Sequence, residues 1–413
     1  MTNAHQLATP PRMTKLAEFQ LAAACCRWPP GEEKSAAVKE AAAGVDWPRF
    51  EKVVQRHRIE PLAVRAIEEN DLAVPAKTMA RLRTEAVRAR RDNLLIAGEC
   101  ERLRRHLVKA QIDHLFVKGL ALAKLAYGGI DLKKGWDIDL LVTPADLDRA
   151  GALLAELGYR RVLPAQDSSL EALAAWRARS KEEIWTHQVS GVPVELHWSL
   201  VDNPRLLPGV GTDSDRQRVE VAGGVIVATL ADVPLYAYLS VHGASSAWFR
   251  LKWIADFNAF LAGRTAEEIE DLHRSAVALG AGRTSAAALL LIEQLFGRNL
   301  PESLSKLRGD RLTVLLVRLS LIAMTRKGGV AEPTESKFGA LAIHAVQALA
   351  MPGIAFFGSE VRRQALNPMN ALEFHVPRGA RFLYPLLLVP LWLRRRAAIR
   401  TQRAKRRGST SET

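Results

Sequence analysis

Two aspartates separated by a single residue, Asp137 and Asp139, are the side chains of this sequence best placed to do chemistry together. They begin the run DIDLLV, whose first residues alternate between polar and apolar as in a half-buried strand. Residues i and i+2 of a strand lie on the same face, about 7 Å apart. Two carboxylates so placed repel each other and favour a cation between them, and oxygen ligands suit Mg²⁺ or Mn²⁺. The spacing predicts a metal site, although an Asp-x-Asp also arises by chance about once in a chain of this length.

The residues just before this strand favour the binding of phosphate. A short apolar run, residues 112–117, has the pattern of a buried strand and is followed by Lys118-Gly119 and an apolar helix. The N–H groups at the start of that helix can receive a phosphate, and Gly119 lets the backbone approach it closely. Lys118 could add a point charge, although a solvated turn lysine is the simpler interpretation of this residue alone.

Helical patterns surround these elements. Residues 14 to about 110 have apolar side chains at helical spacing, with a break at WPPG and a long amphipathic stretch over 78–109. After the DIDLLV strand, Thr143-Pro144 predicts a helix start and Gly158 its end. A strand-helix-strand-helix order over about fifty residues is typical of an α/β or α+β core.

Two hairpins are predicted after this core begins. One joins residues 184–189 and 192–198 at a glycine, and the other joins 219–222 and 225–229 around a Gly-Gly pair. From residue 231 the pattern is helical again and rich in Leu and Ala. The order predicts four parts: an N-terminal helical region (1–110), an α/β core (111–230), a C-terminal helical domain (231–350) and a basic tail (351–413).

Four motifs carry a resemblance to a known family. VKGLALAKLAY, DIDLLV with a helix ending in LGY, VPVELHW and VHGASSAWFRLKWIADF follow one another between residues 93 and 260. In this order they resemble a largely uncharacterised family of bacterial nucleotidyltransferases in the polymerase-beta-type superfamily. The resemblance implies an α+β fold, in which a small mixed β-sheet with flanking helices lies between N- and C-terminal helical regions. It also implies transfer of a nucleoside monophosphate from a nucleoside triphosphate (NTP) with Mg²⁺ or Mn²⁺.

The resemblance assigns roles to individual residues. Asp137 and Asp139 would hold the metal, and Lys118-Gly119 would occupy the phosphate-binding turn, which is usually Gly-Ser or Gly-Gly in the superfamily. Glu195 in VELHW would be the third carboxylate, either a metal ligand or the base that takes the proton of the acceptor. Strand alternation places Glu195 and His197 on one face, so that both can look toward the aspartates.

A later helical segment adds positive charge. Because the resemblance suggests that this segment packs against the site, Arg250 or Lys252 could contact a triphosphate or an anionic acceptor. A solvated salt bridge between Lys252 and Asp256, four residues apart on a helix, is the alternative.

Three histidines raise the question of zinc. His187, His197 and His242 stand at spacings that match no standard zinc pattern, and no cysteine lies near them in the sequence. Structural, hydrogen-bonded histidines are therefore the favoured interpretation.

The composition limits the class of protein. Apolar residues make up 48% and charged residues 25% of the chain, as in ordinary globular proteins. Three cysteines, two of them adjacent, do not form a disulfide framework and predict a reducing compartment. No signal peptide and no run of about 18–20 apolar residues is found. The sequence therefore predicts a cytoplasmic protein.

The C-terminal tail holds most of the excess positive charge. Residues 378–413 contain ten Lys or Arg and one Glu, which accounts for nine of the fourteen net positive charges. The apolar segment 382–393 is too short to span a bilayer and is followed at once by basic residues. This combination favours peripheral attachment to an anionic membrane over contact with nucleic acid, because the segment lacks interleaved stacking aromatics.

The functional hypothesis is a metal-dependent nucleotidyltransferase whose acceptor, a small molecule, glycan or protein, is unknown. A phosphotransferase or toxin-like nucleotide-modifying enzyme on the same scaffold is a rival. A catalytically idle nucleotide sensor or scaffold at the membrane is the alternative from a different class.

Overall fold

Helices form the first part of the chain, as the sequence predicts. The structure, a computed structural model, describes residues 16–333 and 339–366. The pattern that looks continuous in the sequence near residue 58 is broken there, because Arg58 adopts left-handed backbone angles (φ 57°, ψ 47°). The first five helices are α1 (Ala17–Cys25), α2 (Glu32–Ala41), α3 (Trp47–His57), α4 (Glu60–Glu69) and α5 (Ala76–Lys109).

A five-stranded sheet follows. Its elements along the chain are β1 (His114–Phe116), α6 (Gly119–Tyr127), β2 (Ile138–Val142), α7 (Leu147–Glu156), β3 (Tyr159–Leu163), α8 (Leu170–Arg177), β4 (Glu182–His187) and β5 (Pro193–His197). The spatial order is β1-β2-β5-β4-β3, in which only the β2–β5 pair is parallel. The first predicted hairpin is the β4–β5 pair. Strand β3 has no counterpart in the sequence-based prediction.

The second predicted hairpin forms a separate two-stranded sheet, β6 (Arg216–Ala222) and β7 (Val225–Leu230). The helices after it are α9 (Asp232–Ser245), α10 (Leu251–Phe260), α11 (Ala266–Ala278), α12 (Gly282–Phe296), α13 (Arg311–Thr325), α14 (Gly339–Leu349) and α15 (Ile354–Ala365). Helix α15 lies within the segment predicted as tail. Across the described residues, no helix combines the length and apolar character needed to cross a membrane.

The two faces of the sheet pack on different apolar clusters. Ile138, Leu140 and Val194 face a cluster that includes the second half of α5 and helix α7. Leu115 and Leu141 on the opposite face belong to a larger cluster shared by the N-terminal helices and helices α9–α13. Segments far apart in sequence therefore pack together on the face that carries Asp139. The mixed α+β architecture with helical regions on both sides of the sheet confirms the predicted fold class.

Asn93 of α5 fixes the loop that leads into β2. It is fully buried, and its Nδ2 donates to the carbonyls of Ile130 (2.6 Å) and Lys133 (2.7 Å). Its Oδ1 accepts from the N–H of Gly135 at 3.0 Å. A long helix thus holds the backbone two residues before Asp137, and one side chain satisfies three main-chain groups.

Asn93→Ala should lower the free energy of unfolding by about 3 kcal/mol, because it leaves several buried main-chain groups without partners. Urea unfolding followed by circular dichroism measures this. Asn70→Ala is the matched control, since Asn70 is also buried but makes one hydrogen bond, to the carbonyl of Ala66 at 2.8 Å. A cost of about 1 kcal/mol is expected there. Equal losses in the two variants would contradict the role given to Asn93.

Candidate functional site

Strand register brings the predicted acids together. In the parallel β2–β5 pair Asp139 lies directly opposite Glu195, and Leu141 lies opposite His197. Alternation along β5 then places Glu195 and His197 on the face that carries Asp139. Asp139 is 3% exposed, whereas 22% of the Glu195 side chain remains accessible. The pairing predicted from VELHW is therefore realised in the sheet.

Lys118 supplies positive charge to these acids. Its ammonium contacts Oδ1 of Asp139 and lies 3.7 Å from Oε2 of Glu195. The lysine ends the short connection after β1, and Gly119 follows it with φ of +58°. That angle suits glycine and turns the chain into α6. The ammonium of Lys118 therefore lies against the carboxylates, and its contact with phosphate stays a prediction.

His197 lies at the centre of a buried polar network. Its Nε2 is 3.2 Å from Oδ1 of Asp139 and 3.5 Å from Oε2 of Glu195. Its Nδ1 is 3.1 Å from Oε2 of Glu182, which in turn lies 2.7 Å from the ammonium of Lys181. The network therefore runs from Lys118 through Asp139, His197 and Glu182 to Lys181, with a lysine at each end and a carboxylate on each side of the histidine.

The network decides how the central groups ionise. Burial raises the pKa of Asp139, but Lys118 and the hydrogen bond to His197 outweigh burial and hold that pKa well below its usual range. Burial and Lys181 lower the pKa of His197. Asp139, Glu195 and Glu182 raise it by more, so the pKa lies above its usual value. Asp139 is thus held as a carboxylate inside the protein.

Asp137 lies at the edge of this network in a different environment. In the described part of the chain its carboxylate makes no ion pair within 4 Å. Burial and the charge of Asp139 raise the pKa of Asp137 to about 6, and Lys118 and Lys252 partly oppose this rise. The two aspartates of the motif therefore differ: Asp139 is ionised and paired, and Asp137 lacks a partner.

Two positive side chains, Lys252 and Arg58, interact electrostatically with Asp137 without forming an ion pair with it in the described structure. Burial, Lys133 and Arg58 lower the pKa of Lys252 to about 7. Burial and Arg250 likewise lower the pKa of Arg58, and the charge of Asp137 partly offsets this lowering. Arg58 had not been singled out from the sequence, because a charged residue between two helices gives no local signal of where it points.

The other cations near the site have partners. Arg250 pairs with Oε1 of Glu332 at 2.7 Å. The predicted salt bridge between Lys252 and Asp256 is not formed in the described structure. Asp256 instead contacts the ammonium of Lys133 and accepts a hydrogen bond of 2.9 Å from the hydroxyl of Tyr127. This pairing leaves Lys252 with no carboxylate within 4 Å among the described residues.

A small pocket lies beside the acids and the turn. Lys118, Gly119, Asp137 and Asp139 line it, together with apolar side chains of α5, α6 and the hairpin such as Val221 and Val227. The turn and both aspartates therefore adjoin one pocket, which has room for about one water molecule.

The donor set fits a divalent cation. Ligand atoms of Asp139, Glu195 and His197 lie within 4.8 Å of one another. Carboxylate oxygens are suitable ligands for Mg²⁺ or Mn²⁺, and Mn²⁺ also coordinates an imidazole nitrogen. Glu182 lies 3.1 Å from the other ring nitrogen of His197, although the two atoms form no hydrogen bond in this arrangement. Asp137 lies outside this group, although it was predicted as one of its ligands.

The remaining histidines occupy separate positions. His187 Nδ1 accepts a hydrogen bond of 3.0 Å from the N–H of Ser190 in the β4–β5 turn. His242 packs with the rings of Tyr238 and Trp253, and burial holds its pKa well below the usual value. Of the three histidines considered for zinc, only His197 belongs to the donor group, which agrees with a structural interpretation of the other two.

Sequence reasoning did not single out Glu182, which belongs to the network, or Tyr238, whose hydroxyl acts on Lys118 and Lys181 only through its charge. Glu182 begins β4 and is brought to His197 by the antiparallel β4–β5 pairing, in which the two residues are partners. Tyr238 of α9 is fully buried, and across the residues described its hydroxyl has no hydrogen-bond partner. The hairpin register could have revealed Glu182, but Tyr238 requires knowledge of how α9 packs.

A mixed sheet with acids on neighbouring parallel strands, beside a strand-turn-helix unit, agrees with the architecture that the resemblance to nucleotidyltransferases implied. The chain belongs to the family described as "Uncharacterised nucleotidyltransferase", whose model matches residues 43–297, more than half of the protein. This confirms the family to which the sequence motifs were assigned by resemblance. No curated protein and no solved structure matches the chain.

Replacing Lys252 should change stability in a pH-dependent way. Its pKa is about 7 in the fold against a usual 10.5, so folding favours the neutral amine. The cost of folding a charged Lys252 is therefore fully present below about pH 7 and is relieved as the pH rises toward 10.5. Lys252→Met should raise the melting temperature at pH 6, and the gain should shrink by pH 9.5.

Thermal unfolding monitored by circular dichroism at the two pH values checks this expectation. The control is Lys124→Met, which removes an exposed lysine from α6. A gain in Lys252→Met that is as large at pH 9.5 as at pH 6 would contradict the environment assigned to this lysine.

Proposed function

We propose that the protein transfers a nucleoside monophosphate from an NTP to a hydroxyl group of an acceptor, with Mg²⁺ or Mn²⁺ as cofactor. The reaction joins the acceptor oxygen to the α-phosphorus and releases pyrophosphate. The observation that carries the proposal is the register of β2 and β5, with ligand atoms of Asp139, Glu195 and His197 within 4.8 Å of one another. Membership of the nucleotidyltransferase family implies an NTP as the donor.

The position of each residue in the site suggests its role in the proposed reaction. Asp139 and Glu195 would hold the cation, with His197 as a third ligand or as the group that orients Asp139. A bound cation would neutralise charge on the transferring phosphate and lower the pKa of the attacking hydroxyl. Gly119 and the start of α6 would receive phosphate oxygens through backbone N–H groups. Lys252 and Arg250 are proposed to add positive charge near the triphosphate.

Asp137 and Glu195 are the candidates for moving a proton. A carboxyl group with a pKa of about 6, as in Asp137, is ionised at neutral pH and basic enough to accept a proton from an activated hydroxyl. Glu195 is the more accessible member of the donor group and reaches the same face of the sheet. Glu195→Gln separates its two roles: a ligand loses metal binding together with transfer, whereas a base loses transfer alone.

A nucleotide-binding sensor without catalytic activity is the second candidate. One observation favours it, namely that Lys118 already contacts Asp139 and lies near Glu195. A lysine in this position can satisfy the carboxylates without a metal, as an inactive relative of an enzyme would require. The rival phosphotransferase activity has no observation of its own in the described structure.

Asp139→Asn should abolish Mg²⁺-dependent NTP binding and nucleotide transfer. Transfer should fall by about 100-fold or more, since even outer partners of a metal site cost roughly 10–100-fold when removed. Titration calorimetry with each of the four NTPs and Mg²⁺ measures binding. Pyrophosphate release in the presence of cell extract, with mass spectrometry of the modified acceptor, measures transfer.

The control for this experiment is Asp148→Asn, which removes an exposed carboxylate from α7 with the same change in charge. NTP binding that survives in Asp139→Asn would contradict both the transferase and the sensor. Binding without pyrophosphate release across extracts and acceptors would favour the sensor.

The tail is proposed to attach the protein peripherally to the inner, anionic face of the membrane. Its apolar segment and basic residues, 382–407, lie outside the described residues, so the proposal rests on sequence. Deleting residues 378–413 should abolish sedimentation with vesicles that contain anionic lipid. Unchanged association of the truncated protein would rule the tail out as the anchor, and loss of RNA binding on truncation would support the nucleic-acid alternative.

The four-part organisation predicted above also stays a proposal.

A further inference from the structure

An arginine occupies a backbone position that favours glycine. Arg58 connects α3 and α4 with φ of 57° and ψ of 47°, in the left-handed region. This region costs a residue with a side chain about 1–2 kcal/mol, and the position after a helix is usually Gly or Asn. Here the angle belongs to the cap of α3, in which the N–H of Arg58 bonds to the carbonyls of Gln55 and Val54, and six other non-glycine residues of the described chain share it. The neighbours of Arg58, rather than its backbone, are therefore the informative feature.

Contacts on both sides of Arg58 fix where its turn lies. The preceding residue, His57, accepts a hydrogen bond through Nδ1 from the N–H of Leu251, at 2.9 Å. Two residues after Arg58, Oε1 of Glu60 lies 2.8 Å from the ammonium of Lys134. The turn is therefore tied both to the start of α10 and to the loop that ends at Asp137.

Arg58 itself is left without a partner. Among the described residues its half-buried guanidinium makes no hydrogen bond and no ion pair. The cations around it are satisfied: Arg250 by Glu332, Lys133 by Asp256, and Lys134 by Glu60 and Glu85. Lys252 is the exception, as it also lacks a carboxylate within 4 Å in the described structure.

His57 and Leu251 are hydrogen-bonded, so Arg58 and Lys252 directly follow two residues in contact. An anion between the two side chains would stabilise the charge of Arg58 and the protonated form of Lys252. Among the described residues neither side chain has a carboxylate within 4 Å, so the described part of the chain does not provide that anion. The planar guanidinium matches two oxygens of a phosphate, whereas the ammonium of lysine acts as a point charge. Phosphate is therefore the ligand chemistry that this pair of side chains fits.

We propose that Arg58, together with Lys252, binds a phosphate group beside Asp137. This inference rests on the proposed function and extends its site to the N-terminal helices. The phosphate belongs either to the β,γ end of the NTP or to a phosphorylated acceptor. Both sources place the same oxyanion against the same guanidinium.

The test uses inorganic tripolyphosphate with Mg²⁺ as the probe, and calorimetry on the full-length protein. Arg58→Gln should weaken binding roughly 10–100-fold, the loss expected for charge-assisted hydrogen bonds. Arg58→Lys keeps the charge but loses the planar guanidinium that can bind two oxygens, so its affinity for tripolyphosphate should lie between those of Arg58→Gln and the wild type. Arg83→Gln, which removes an exposed arginine of α5, should bind as the wild type does.

A competition experiment distinguishes the two sources of the phosphate. Inorganic phosphate is titrated into protein saturated with a non-hydrolysable NTP analogue. Loss of Arg58-dependent phosphate binding under these conditions assigns the site to the triphosphate. Retention assigns it to the acceptor. Both outcomes support a phosphate site at Arg58.

Two results would overturn the inference. One is equal affinity for tripolyphosphate in the wild type, Arg58→Gln and Arg83→Gln, and the other is no binding of tripolyphosphate by the wild type. Failure of the proposed function would look different: the wild type would show no NTP binding or no nucleotide transfer, whatever the effect of replacing Arg58. Melting curves of each variant verify folding, and Arg58→Lys keeps the test valid if Arg58→Gln does not fold.

Discussion

A buried carboxylate is the constraint on which the rest of the structure depends. Asp139 is 3% exposed, and an ionised group in that environment is stable only when charge and hydrogen bonds compensate it. Its compensation comes from Lys118 after β1 and from His197 on β5. Because a shift of one residue in strand pairing would turn these side chains to the other face, the register of the sheet and the chemistry of the site are specified together.

Local periodicity explains what could be predicted from the sequence. The shared face of Asp139, Glu195 and His197 follows from alternation along two strands, and the two hairpins follow from glycine turns. Strand β3 was missed because its five residues, YRRVL, include two arginines and lie between a helix end and a polar segment. The contact of Lys118 with Asp139 and the position of Arg58 depend on packing between distant segments, which no local pattern encodes.

The site draws on segments that are separated by up to about two hundred residues. The turn at Arg58, the loop before Asp137 and the start of α10 meet through hydrogen bonds and ion pairs. Helices from both ends of the described chain also share one apolar cluster. Phosphate contacts proposed for Arg58 and Lys252 would therefore exist only after these segments have docked, whereas the acids already meet within the sheet.

Lys118 has a consequence for the order of folding and metal binding. Because this lysine acts as an internal counter-ion for Asp139, the sheet can fold around its acids without a divalent cation, unlike small domains whose folding requires zinc. If the acids hold a metal as proposed, folding and metal binding are separate steps, and the ammonium of Lys118 gives way to the ion. The supply of metal would then set the fraction of the protein that is metal-bound without setting how much of it is folded.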